Sequence, residues 1–195
     1  EGDTLHIFLA DRNNIDLAFQ FLMILENKVT SRKKDQTVRL FTRISEKNRA
    51  LLQLFASNGY HSKLSFLIME TTLMELPPEP QWPAGITVRR FVPGQDEQAT
   101  YQADEEAAED KGYHEPLRYA DWRKRMGMDS EEFDPSLWFL ACDGEQVAGV
   151  ALNVVERETH TGWVDHLSVR RAWRKRGLGK ALLLHTFKEF YWRDI

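Results

Sequence analysis

Between Arg170 and Lys180 the chain carries six basic side chains and no acid, with glycines at 177 and 179. The run reads Val169-Arg170-Arg171-Ala172-Trp173-Arg174-Lys175-Arg176-Gly177-Leu178-Gly179-Lys180-Ala181-Leu182. An alternating apolar segment precedes it and a helix-periodic apolar segment follows, so the glycines sit where a strand hands over to a helix. A phosphate needs several backbone N–H groups converging on it, and a bare glycine lets the main chain approach closely. The start of the following helix adds unpaired donors and the positive end of its dipole. The chemistry indicated is therefore binding of an anion, a pyrophosphate in particular. A P-loop would need an earlier glycine and a Ser or Thr after Lys180, where alanine stands. A dinucleotide fingerprint would need a third glycine. A solvated charge run does not explain the glycine placement. A nucleic-acid protein would show a broad basic face, whereas this cluster is confined to one loop in acidic surroundings.

Arg174-Lys175-Arg176-Gly177-Leu178-Gly179 fits the pattern Arg/Gln-x-x-Gly-x-Gly/Ala and so resembles motif A of the GNAT N-acetyltransferase superfamily. The context matches in order: an antiparallel hairpin, a Leu167-x-Val169 strand before the loop, and an apolar helix after it. The resemblance covers residues 86–193. It implies a mixed α/β fold, a mostly antiparallel sheet flanked by helices, with acetyl-CoA as cosubstrate and no metal. Its pyrophosphate would be held by Arg174, Lys175, Arg176, Gly177, Leu178, Gly179, Lys180 and Ala181, beside Leu167 and Val169 on the strand. It further implies direct attack of a primary amine on the thioester, with a main-chain N–H of the segment His166-Leu167-Ser168-Val169 stabilising the oxyanion. Asp165 and His166 are the titratable groups available as base on that strand. Side chains alternate along a strand, so the two are expected on opposite faces and at most one faces a given cleft. Asp165 is favoured because family members often use an acid, directly or through water; an ordinary polar strand residue is the competing reading. His160, His166 and His185 show no metal-ligand spacing. The acceptor is a small-molecule or peptide amine, and no motif specifies it further. A GNAT-like module that binds CoA or a protein without catalysis is the alternative.

The elements that must position this loop follow from pattern. A strand is expected at residues 86–91, an acidic helix at 96–110, a second helix at 117–126 and a hairpin formed by 137–142 and 147–156 around Asp143-Gly144. A strand at 163–169 then leads into the loop, and a helix from Gly179 carries Leu182, Leu183, Phe187, Phe190 and Tyr191 on its apolar side. The acidic helix reads either as a solvated face or, by family analogy, as a surface steering a cationic amine to the cleft. Cys142 closes a strand before a tight turn and reads as a buried structural thiol. As the sole cysteine it excludes an internal disulfide and suits a reducing, cytoplasmic setting. The longest apolar stretch, residues 17–25, contains Gln20 and is far short of the ~20 residues of a membrane-spanning helix.

The chain has 195 residues and a net charge of −4, from 26 basic and 30 acidic side chains. Four of its seven prolines fall in residues 76–85, which reads as a semi-rigid linker. Ten basic and nine acidic residues precede it through Glu75, so the acidity lies in the second piece. The first piece reads strand, helix, strand, helix, strand, at residues 5–9, 16–30, 38–44, 48–57 and 64–69. Asn48-x-x-Leu51-x-x-x-Phe55-x-x-x-Gly59-Tyr60 resembles the closing segment of a GNAT domain, with Phe55 where the family usually has a proton-donating tyrosine. The loop counterpart, Arg12 to Leu17, has Ile15 and Leu17 in place of both glycines. Residues 1–75 are thus expected to be the C-terminal part of a degenerate GNAT domain and 86–195 the N-terminal part of an acetyl-CoA-binding one. That is the tandem arrangement of the mycothiol-synthase-like type, here as a fragment whose fifth strand and tyrosine-bearing helix would follow Ile195. Closure of the two pieces into one permuted domain, with residues 38–44 pairing in parallel with 163–169, is the other arrangement.

Overall fold

The computed structural model describes residues 15–32, 42, 44–111 and 114–195, and the chain divides into two units, Glu1–Met69 and Glu70–Ile195. The first contains the helices Ile15–Arg32 (α1) and Arg49–Ser57 (α2). The Asn48 side chain caps α2 by accepting from the Leu51 N–H at 3.1 Å, which satisfies one of the helix's orphan donors. The helix ends at Asn58 and Gly59, the latter at φ 84°, a left-handed conformation that suits glycine. Phe55 is buried and meets Tyr60 edge-on at 5.0 Å, and the Tyr60 hydroxyl donates to Glu26 at 2.9 Å. Burial, then the Glu26 carboxylate, pushes that hydroxyl up to about 12. Asp16 lies in the first turn of α1, where the helix dipole favours an acid.

The strands expected at 5–9 and 38–44 lie outside the described residues, 42 and 44 excepted, and so does the pairing that would make a permuted domain. Residues 64–69 are described and form no strand. Leu67, Ile68 and Met69 are exposed there.

The second unit contains Ile86–Arg90 (β1), Glu97–Ala108 (α3), Tyr119–Arg125 (α4), Trp138–Asp143 (β2), Gln146–Glu156 (β3), Thr161–Val169 (β4) and Leu178–Trp192 (α5). The four strands form one antiparallel sheet in the order β1-β2-β3-β4. Its middle strands are covered on both faces, which is why β2 is an unbroken apolar run. Trp138, Leu140 and Cys142 join Val150 and Leu152 in a core with Ala103 of α3 and Trp122 of α4. Phe139 and Ala141 point the other way and pack with Ala148, Ala151, Leu178 and Leu182 under α5. The hairpin closes Asp143 against Gln146, so its two-residue turn is Gly144-Glu145, one residue later than expected, with Gly144 at φ 58°. The segment 76–85 is docked on this unit: Trp82 packs against the core under α5, and Glu79 is ion-paired to Lys188.

The apolar side of α5 differs from the expected one. Tyr191 is exposed, whereas Thr186, Lys188 and Glu189 are buried. Charge pairing explains the two ionic residues: Lys188 meets Glu79, and Glu189 accepts from Arg90 at 2.9 Å and Arg193 at 2.7 Å. Among the described residues no helix is long and apolar enough to cross a membrane.

Gly149 of β3 lies close against β4. A Cβ there would lie 2.8 Å from the Ser168 carbonyl oxygen and 3.3 Å from Leu182. Gly149→Ala is expected to push β4 outward and cost ~1–3 kcal/mol, seen as a lower urea midpoint at an unchanged slope; a midpoint equal to the parent's would refute the close approach.

Candidate functional site

The outer edge of β4 and the start of α5 form the site. The Arg170 N–H donates back to Ala148 of β3 at 3.0 Å, so Ser168 and His166, two and four residues earlier, also face β3. By alternation the N–H groups of Leu167 and Val169 point outward, away from the sheet. The carbonyl of Val169 is consistent with this, because the Arg174 side chain caps it at 2.8 Å from outside the ladder. A turn of 3-10 helix, Arg171–Trp173, then leads to Gly177, which stands at φ 86° as the N-cap of α5. Ala181 donates to the Gly177 carbonyl at 3.0 Å, which leaves the N–H groups of Leu178, Gly179 and Lys180 without helical partners. A Cβ on Gly177 would meet nothing within 4 Å and one on Gly179 only Val169, so the chain is uncrowded beside both glycines.

The six cations of the loop divide into two sets of three. Arg170 donates to Glu106 at 2.6 Å and lies over the Trp173 ring at 5.4 Å. Arg171 holds Asp110 at 2.8 Å and Glu109 at 3.1 Å. Arg174 bonds Asp110, the Ala107 carbonyl and the Val169 carbonyl. Lys175, Arg176 and Lys180 are exposed and make no ion pair with the described residues. Of the loop residues anticipated as phosphate ligands, Arg174 is therefore occupied in tying the loop down, while the others remain available. Part of the acidic segment has a further role: Glu106 of α3 and Glu109 and Asp110 just beyond it are counter-charges of the loop.

The expectation that Asp165 and His166 face different clefts is overturned by a β-bulge. Leu152 pairs with His166 and Asn153 with Val164, so Asp165 is an extra residue without a cross-strand partner. The bulge re-aims both side chains, and His166 Nε2 stands 3.9 Å from Asp165 Oδ2. Asp165 is exposed and lines a cavity of about 480 Å³ with Met126, Phe133, Trp138, Asn153 and Arg193. On its other side His166 is fixed by Asp104 of α3, which sequence reasoning missed. The buried Asp104 carboxylate receives His166 Nδ1 at 2.8 Å, Ser168 Oγ at 2.7 Å and Trp122 Nε1 at 2.9 Å. Burial pushes this carboxyl up, but the three bonds together outweigh it and hold it below its ordinary value. The signal for Asp104 was helical spacing: Thr100, Ala103, Asp104 and Ala108 make the buried stripe of α3, and Asp104 is its one acid. Cys142 is buried as expected, and that burial pushes its thiol up.

Residues 97–190, just under half of the chain, match the model of the Acetyltransferase (GNAT) family, and the second unit has the mixed α/β fold of that superfamily. Among its relatives, the mycothiol acetyltransferase of Streptomyces scabiei is 38% identical over 106 residues, 54% of this chain and 34% of that protein. The mycothiol acetyltransferase of Catenulispora acidiphila is 29% identical over 150 residues, 76% of this chain and 46% of that protein. The crystal structure of a GCN5-related N-acetyltransferase from Sphaerobacter thermophilus superposes with a TM-score of 0.75 at 30% identity, over 97% of this chain and 60% of that one. The chain thus spans between a third and a half of these two curated relatives.

The guanidinium groups of Arg171, then Arg174, hold the exposed Asp110 carboxyl at about 2, below the ordinary 3.8. A lowered folded value means that the clamp is fully present above about 4 and is lost as pH falls through about 2. Carbon-detected NMR titration should place the Asp110 midpoint near 2 in the parent, and nearer its ordinary value in Arg171→Gln and Arg174→Gln. A midpoint near 4 in the parent would contradict the clamp.

Proposed function

We propose that the second unit binds acetyl-CoA and transfers its acetyl group to a primary amine. The observation that carries this reading is the coincidence, at one strand–helix junction, of three unpartnered helix N–H groups with three unpaired cations. A pyrophosphate is the anion whose size and charge use both sets. Gly177, Leu178, Gly179, Lys180 and Ala181 would supply the junction's main chain. Lys175, Arg176 and the Lys180 ammonium would supply the charge, and Arg174 would shape the loop from behind. The outward N–H groups of Leu167 and Val169 would receive the amide-bearing arm and the thioester oxygen. The side chain of Asp165 stands in the wall of the neighbouring cavity, which would admit the amine, a small molecule or a peptide. The proton acceptor would lie in the Asp165–His166 pair at the bulge.

The same reading treats residues 1–75 as the closing part of a degenerate GNAT domain and 86–195 as the opening part of a second. The 150 aligned residues of the Catenulispora relative exceed the length of 86–195, which supports relationship on both sides of residues 76–85. Phe55 acts as a packing residue against Tyr60 and has no proton to give, as expected of a non-catalytic domain. A cytoplasmic setting agrees with the single, buried cysteine. Nucleic acid is a poor partner for the loop, because half of its charge is already neutralised from within.

Isothermal titration of acetyl-CoA into the protein tests the shared premise. Aspartate tolerates a left-handed backbone better than most residues, so Gly177→Asp chiefly places a negative charge where the phosphates belong. Affinity is expected to fall by about tenfold or more, ~1.4 kcal/mol. An unchanged affinity would remove the phosphate-loop assignment.

A further inference from the structure

Asp104, His166 and Asp165 come from α3 and from the bulge of β4, and their placement defines one proton path. An ionised carboxylate only accepts hydrogen bonds. With Asp104 held in that form by three donors, the hydrogen between it and His166 sits on Nδ1. The neutral ring then presents a free lone pair on Nε2, the nitrogen directed toward Asp165. His166 keeps a quarter of its side chain exposed, whereas Asp104 is almost wholly buried. The ring therefore joins a buried negative charge to the open edge of the strand. The next residue along, Leu167, turns its N–H outward from the same edge. An oriented base, an exposed carboxylate and an outward N–H donor thus stand on three consecutive residues.

We infer that His166 takes the proton from the attacking amine, that Asp104 is the positioning residue that fixes its tautomer, and that Asp165 draws the cationic amine to it. This rests on the acetyl-transfer reading above and reverses the preference for Asp165 as base. The acceptor enters as an ammonium beside Asp165 and gives one proton to Nε2, leaving a neutral amine and an imidazolium bonded to Asp104. The nitrogen lone pair forms the C–N bond, and the carbonyl π pair moves onto oxygen, facing the Leu167 N–H. When the C–S bond breaks, sulfur leaves with the electron pair as thiolate and takes the remaining extra proton from nitrogen. Amide and free thiol result, and the imidazolium returns its proton to water. The charged groups paired with the ring are Asp104 from α3 and Asp165 from the bulge, and the cavity wall that Asp165 joins also carries Arg125, Glu132, Asp134, Arg157 and Arg193. Across the ladder β3 presents Leu152, and α4 supplies Trp122, neither of which titrates.

Thiol release from acetyl-CoA should be followed with the whole protein and a panel of primary amines, using the best acceptor over a range of pH. His166→Gln is expected to lower kcat about 100-fold, to leave the KM for acetyl-CoA within about twofold, and to abolish the acid limb of the kcat/KM profile. That limb exists because the ring loses its lone pair on protonation as pH falls. Asp104→Asn should lower kcat about tenfold and leave the KM for acetyl-CoA within about twofold, a split that general destabilisation would not give. Asp165→Asn should raise the acceptor KM and keep the limb. Added imidazole should restore part of the activity of His166→Ala, which a merely structural role would not permit. An unchanged limb in His166→Gln, or its loss in Asp165→Asn, overturns the assignment. Absence of turnover by the parent with every amine, despite acetyl-CoA binding, overturns the transfer reading and this inference with it.

Discussion

Much of the second unit depends on the pairing of the basic loop with carboxylates at the end of the acidic helix. Six like charges in eleven residues would repel one another and keep a loop expanded. Glu106, Glu109 and Asp110 offset that repulsion, and they meet only the half of the loop that runs along α3. Exposed ion pairs contribute little to stability singly, about 0–1 kcal/mol each, so their importance here is geometric. Arg174 bonds a carboxylate, a helix-terminal carbonyl and a strand carbonyl together, and this fixes where the chain turns toward Gly177. The three remaining cations are thereby held near the free end of α5 without being neutralised. A loop with no internal counter-charge would not present an anion with so defined a junction.

The same contacts show what was legible in the sequence. The basic loop between strand and helix, the hairpin and the strand leading into the loop were readable, because glycine placement and alternation are local properties of the chain. The division of the cations was not, since it depends on which carboxylates the fold brings to the loop from more than sixty residues away. Asp104 was hidden for a related reason. Within a helix holding many acids, composition points to solvent, and only the spacing of Thr100, Ala103 and Ala108 marks the position as inward. The buried Lys188 and Glu189 misled in the opposite direction, because charges are assigned to the surface until their partners are known. Residues 64–69 show the limit of β-propensity. Leu64, Phe66, Leu67 and Ile68 suit a strand by residue type, yet strand formation is decided by context and the segment is not in one.

The bulge at Asp165 is the step that converts an edge strand into a site. In a regular strand His166 and Asp165 would lie on opposite faces, one inside the α3 core and one under α5. One inserted residue breaks that alternation and brings their polar ends to 3.9 Å at the margin of the sheet. The interruption is tolerated because β4 is bound to β3 on both sides of it, from Thr161 opposite Glu156 to Val169 opposite Gly149. Gly149 lets the strands approach closely at the loop end, and the Asp104 bonds to His166 and Ser168 pin the segment beyond the bulge to α3. The backbone irregularity is thus confined between two anchored stretches. It turns a carboxylate and an imidazole toward the same edge that carries the outward N–H groups of Leu167 and Val169. Edge strands expose unpaired backbone groups that favour unwanted pairing. Here the bulge and the exposed Asp165 carboxylate interrupt the regular pattern of that edge.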